Sequence, residues 1–167
     1  EVFTGTTEIA KIGLLLPETG VYSDTSDDIH NAVQLAIDEI NSLQNRYDFE
    51  LLTSDTESDP SRARVAAWQL TDEGVAGIIG GSTYNIVYNA LEKPKETSTP
   101  MITFAFDSSS LTILDDDGLV WRIVPSGTSE AAALAVYANI REVENIGIIH
   151  VDTAYGNVYA DAFTDAI

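Results

Sequence analysis

Apolar runs of strand length alternate with segments of helical period along the whole chain, and this alternation constrains the fold more than any other feature. Residues 11–16 form an apolar run stopped by Pro17. Ile29, Val33, Ala36, Ile37 and Ile40 then recur at helical spacing, which predicts an amphipathic helix over 27–43. A second strand is predicted over 49–53. Asp59 then stands as a helix cap with Pro60 at the first helical position, Ala63, Ala66, Ala67 and Leu70 supply a core face, and Gly74 closes the helix. Strands over 75–79, 101–105, 119–124 and 146–151 interleave with a helix over 83–92, closed by Pro94, and helices over 128–141 and 155–167. The order predicts an α/β fold, a parallel sheet flanked by helices and joined by right-handed crossovers.

Ligands of open α/β sheets sit in the crevice beyond the strand C-termini. Three segments should end there. The first is Gly80-Gly81-Ser82-Thr83, at a strand-to-helix turn. Its glycines would let a ligand approach the backbone, and the free amides of the following helix attract an anion such as a carboxylate. A tight turn with a capping threonine is the simpler reading of the same residues. The second is Ala105-Phe106-Asp107-Ser108, where Asp107 suits an ammonium group and Ser108 offers a hydroxyl; a solvated loop is the alternative. The third is Asp152-Thr153-Ala154-Tyr155-Gly156, where Tyr155 opens a helix and can stack on or hydrogen-bond to a ligand, or pack on its neighbours. Two long polar loops, 19–26 and 107–118, also interrupt the rhythm, and loops of that length are often functional.

Several chemistries are excluded. The turn after Gly80 lacks the lysine of a phosphate loop, and no dinucleotide fingerprint follows the first strand. The chain has no cysteine, so zinc–cysteine sites and thiol nucleophiles are out. The acids of Asp55 to Asp59 resemble a calcium loop, but Pro60 replaces the glycine such a loop needs. Asp115, Asp116 and Asp117 read as a solvated charge run, and His30 and His150 as structural or surface residues. No nucleophile stands beside a histidine base, so no enzyme is expected, and no cofactor or metal. The charge sharpens this: 27 acidic residues oppose 8 basic ones, a net charge of -19. Phosphates could not be neutralised, so nucleic acid is not a partner. A solvated acidic surface accounts for the balance, and so does life at high salt.

The chain resembles the type I periplasmic binding proteins of the branched-chain amino-acid (Leu/Ile/Val) transport family. The residues that carry the resemblance run in order: Ile12-Gly13-Leu14-Leu15-Leu16 with Thr19-Gly20; Ala36 to Asn41; Asp55 with Asp59-Pro60; Gly77 to Thr83; Pro100-Met101-Ile102; Trp121 to Pro125; and Asp152 with Tyr155-Gly156. The resemblance implies two α/β lobes joined by a hinge, with 1–122 in the first lobe, lacking its return segment, and 123–167 beginning the second. It implies a chain about half the family's length, truncated, exposing apolar surface and able to pair with a copy of itself. It places the ligand's head group against Tyr84, Ala105, Asp107 and Tyr155, with a first-loop contact near Thr25. Tyr84 stands where serine is usual, although Ser82 and Thr83 lie beside it. Asp107 replaces a hydroxyl and adds charge. Both departures argue for a smaller, more polar or cationic ligand rather than a simple branched aliphatic one.

The expected function is that of an extracytoplasmic solute-binding protein, in the periplasm or at the cell surface, with or without a lipid anchor. It would serve an ABC permease and close on an amino acid or similar small polar solute between its lobes. Ser82, Thr83 and Tyr84 would meet a carboxylate, Asp107 an ammonium, Ser108 a polar group, and Tyr155 would cover the ligand. The alternative is a sensor domain of the same fold in a receptor. Arg122, at the lobe crossing, is expected to pair with a carboxylate.

Overall fold

The computed structural model describes residues 7–43, 46–105, 109–152 and 154–167. The first strand, β1 (Glu8–Leu16), leads through a 3-10 turn (Ser23–Thr25) into helix α1 (Ser26–Ser42), then β2 (Tyr47–Asp55), α2 (Pro60–Asp72) and β3 (Gly77–Gly80). Two short helices follow, α3 (Tyr84–Ala90) and α4 (Glu92–Thr97), then β4 (Met101–Thr103), a second 3-10 turn (Ser109–Ile113) and β5 (Val120–Arg122). Helices α5 (Gly127–Ile140) and α6 (Ala154–Ala166) complete the described chain.

The strands form a five-stranded sheet in the order β2-β1-β3-β4-β5, every pair parallel. β1 lies inside the sheet, and its C-terminal half, covered on both faces, is apolar throughout; Leu14, Leu15 and Leu16 are all fully buried. Alternation along the strand sends Leu15 toward α2, where it joins Ala66, Ala67, Leu70, Ile78, Val87, Ala90 and Met101 in the main core. The alanines on α2 let that helix lie close to the sheet. Gly13 serves the same contact, since a Cβ there would press on Leu70 and Ile78. α1 lies on the opposite face against β1 and β2 and leaves an open apolar groove of about 620 Å³ over β3 and β4, lined by Ile12, Val33, Ile37, Ile79, Ile102 and Ile123, among others.

A second, smaller core holds Ala131, Ala135 and Phe163, where α5 packs on α6. No residue is shared between the two cores.

The α/β class and the parallel sheet match the expectation from sequence. Several elements differ. Pro94 does not stop a helix but sits in the first turn of α4, where the missing N–H has no intrahelical partner to lose. Its inability to donate to the Ala90 carbonyl divides α3 from α4, and Ser98, at φ 57°, ends α4. The strands expected over 101–105 and 119–124 shorten to three residues each. The strand expected over 146–151 is absent among the described residues. Its apolar residues lie along Leu134, Tyr159 and Phe163, while Ile149 is 100 % exposed. A parallel strand exists only by pairing, and no described strand runs beside this one.

Candidate functional site

The crevice at the C-terminal edge of the sheet is built around the turn that leaves β3. Gly80 and Gly81 carry φ values of 145° and 84°, backbone that side chains avoid, and a Cβ on Gly80 would collide with the Leu15 carbonyl oxygen. The Gly81 N–H donates to that same oxygen at 3.2 Å, which seats the turn against the end of β1. On the other side the Thr103 hydroxyl, fully buried, donates to the Gly81 carbonyl at 2.8 Å and accepts from the Ala105 N–H at 3.1 Å. One side chain therefore fixes the ends of β3 and β4 relative to each other. Sequence reasoning missed Thr103; the signal was a single hydroxyl inside the apolar run Met101-Ile102-Thr103-Phe104-Ala105.

Within this frame the expected residues divide. Thr83 caps α3, its hydroxyl accepting from the Ile86 N–H at 3.4 Å. With only seven residues in α3, the helix dipole gives an anion little help. Ser82 is different: its Oγ is buried with no hydrogen-bond partner among the described residues. A buried hydroxyl left unpaired costs about 1–3 kcal/mol. Tyr84 opens α3, stacks on Tyr88 with ring centroids 5.8 Å apart, and lines a cleft of about 660 Å³ with Arg64, Asn89, Lys95 and Leu114. Ala105 is fully buried beside Thr103. Thr25 ends the 3-10 turn before α1, is exposed, and makes no capping hydrogen bond with its side chain. Asp107 and Ser108 lie outside the described residues, and Tyr155 is described only as a position in the first turn of α6.

Neighbouring charges are mostly engaged in structure. The Asp116 carboxylate accepts from the N–H groups of Gly118 and Val120 at 3.0 and 2.9 Å, fixing the start of β5, so it is more than part of a solvated run. Lys95 lies between Asp115 and Asp117 at 3.6 and 3.4 Å. Arg122 donates to the Thr112 hydroxyl at 3.2 Å. The Asp55 carboxylate, at the end of β2, is partly desolvated, which works to raise its pKa. Donation from the Glu57 N–H, the Thr19 hydroxyl and N–H, and the Glu18 backbone outweighs this and holds it below the usual aspartate value. Among the described residues no group of three or more His, Asp or Glu could hold a metal ion. Among the described residues no helix is long and apolar enough to cross a membrane.

Comparison with known proteins gives this geometry a family. The periplasmic binding protein family matches residues 10–167. A Leu/Ile/Val-binding protein, BraC3, from Rhizobium johnstonii is 28% identical over 160 residues, covering 91% of this chain and 42% of the relative. The crystal structure of an ABC transporter substrate-binding protein from Desulfitobacterium hafniense in complex with Leu superposes with a TM-score of 0.82 at 26% identity, covering 95% of this chain and 47% of that one. A solute-binding protein of an ABC transporter from Rhodopseudomonas palustris, in complex with 3,4-dihydroxy benzoic acid, shares the fold with a TM-score of 0.80 at 21% identity, over 95% of this chain and 44% of that one. The chain thus spans somewhat less than half the length of these relatives.

Proposed function

The chain belongs to the periplasmic binding protein family, and from that premise we propose that it is the solute-binding component of an ABC uptake system. In this reading it works outside the cytoplasm, performs no chemistry on its ligand, and holds an amino acid or similar small polar solute between two lobes. Residues 1–122 belong to the first lobe and 123–167 begin the second; the two separate apolar cores support that division. The ligand stabilises the closed arrangement of the lobes, and a membrane permease reads the closed form.

The observation that carries the reading is the Ser82 hydroxyl at the C-terminal edge of β3, its oxygen buried and without a partner among the described residues. A ligand carboxylate would accept from it and remove the cost of leaving it unpaired. Thr83 and Tyr84 flank that contact. The Ala105 carbonyl and Asp107 would receive the ligand's ammonium, Ser108 would add a hydroxyl, Thr25 would approach from the first loop, and Tyr155 would close over the ligand from the second lobe. The negative charge of Asp107 favours a polar or cationic side chain over a plain aliphatic one.

Ser82→Ala separates binding from folding. Removal of an unpaired hydroxyl leaves the ligand-free protein as stable as before or about 1 kcal/mol more so, read from urea unfolding. Affinity for a carboxylate ligand falls about 10- to 150-fold, as loss of a charge-assisted hydrogen bond of roughly 1.5–3 kcal/mol requires. Unchanged affinity for a ligand that the wild type binds would remove Ser82 from the site.

A further inference from the structure

We propose that Asp55 is a positioning residue for ligand binding: it locks the loop between β1 and α1 onto the turn after β2, and thereby sets where Thr25 and the start of α1 meet the crevice. The inference rests on the solute-binding reading above and extends it to a residue that touches no ligand.

Residues 17–25 form the long connection that the sequence marks as unusual, and apart from one 3-10 turn they have no regular structure. Within the loop, the Ser23 hydroxyl donates to the Gly20 carbonyl at 2.9 Å, and the buried Ser26 hydroxyl donates to the Pro17 carbonyl at 2.6 Å. These bonds fold the loop on itself but do not fix it to the sheet. That attachment comes from the β2–α2 turn. Oδ1 of Asp55 accepts from the Thr19 N–H at 3.2 Å and from the Glu57 N–H at 2.7 Å, while Oδ2 accepts from the Thr19 hydroxyl at 2.7 Å. The Ser58 hydroxyl adds a second tie, donating to the Thr19 carbonyl at 3.1 Å and accepting from the Tyr22 N–H at 3.1 Å.

The fit between loop and turn is close. Gly20 lies at φ 94°, and a Cβ there would strike the Glu57 carbonyl and the Ser58 side chain. Glu57 and Ser58 are consecutive non-glycine residues at φ 51° and 57°, a conformation that their surroundings must impose. The Asp55 bond to the Glu57 N–H is one of the contacts that impose it. A carboxylate can serve these donors together because both its oxygens accept; an amide in its place keeps one acceptor oxygen. Loss of the clamp would leave the loop in place only part of the time, and apparent affinity falls in proportion to the competent fraction.

The test uses the intact natural protein with Asp55→Asn and Asp55→Ala. Amide hydrogen exchange over 18–25 reports the loop, and calorimetric titration with L-leucine and with 3,4-dihydroxybenzoate reports binding. Leu70→Ala, in the main core and away from the loop, is the control for lost stability. The proposal expects faster exchange over 18–25 in both Asp55 variants and affinity about tenfold lower for whichever probe the wild type binds. It expects unchanged affinity in Leu70→Ala despite a lower melting temperature. Unchanged exchange over 18–25 overturns the proposal. So does faster exchange with unchanged affinity, or an equal loss of affinity in Leu70→Ala. A wild type that binds neither probe removes the role of Asp55 together with the solute-binding reading for these ligands, a result distinct from a binding wild type beside an unaffected variant.

Discussion

Thr103, Ser82 and Thr83 show how three hydroxyls of similar chemistry serve different ends a few ångströms apart. Thr83 is spent on capping α3, Thr103 on tying β3 to β4, and Ser82 has a buried Oγ with no partner among the described residues. The turn lies between β3 and α3, where its glycines and hydroxyls put it in the sequence. The sequence could not say which hydroxyl was already used, because that depends on distances between strands that are remote in sequence. Thr103 makes this concrete. Thr103→Val keeps its shape but leaves the Gly81 carbonyl and the Ala105 N–H without their partner in a buried site. The expected cost is about 2–3 kcal/mol, seen as a lower urea midpoint with an unchanged slope. A midpoint within error of the wild type would show that the β3–β4 tie is dispensable.

At the level of elements, the signals that act locally were read correctly and those that depend on partners were not. Asp59-Pro60 predicted the start of α2 because both effects are confined to the first turn, and the Asp59 carboxylate indeed accepts from the N–H groups of Ser61 and Arg62 at 2.8 and 3.0 Å. Asp59→Ala should cost about 1 kcal/mol, measured by equilibrium unfolding; no loss would mean that the proline alone holds the helix start. Pro94 was misread because a proline at the start of a helix and one beyond its end look alike in sequence. The stretch 146–151 was misread because apolar, β-branched composition marks a segment suited to a strand without supplying the neighbour it must pair with. Asp55 falls between these cases. Its acidic neighbourhood looked like a failed calcium loop, and the structure shows a carboxylate engaged by the backbone of another loop.

At the scale of the whole molecule, the parallel sheet was legible because the alternation of periods is a property of the entire chain. The apolar groove beside α1 was not, since Ile79, Ile102 and Ile123 read simply as strand residues and only the fold shows that α1 does not cover them. Of the candidate site, the turn after β3 was legible from its glycines and hydroxyls, while the contributions of Asp107 and Ser108 lie outside the described residues. The central claim is that this protein binds a small polar solute. The measurement that tests it most directly is thermal unfolding of the intact natural protein against a panel of amino acids, amides, urea and small carboxylates, with L-leucine and 3,4-dihydroxybenzoate among them. A ligand that binds only the native state raises the melting temperature by mass action. The account predicts a concentration-dependent rise with an amino acid or similarly small polar compound, diminished in Ser82→Ala. A melting temperature indifferent to every member of the panel, up to millimolar concentration, would contradict it.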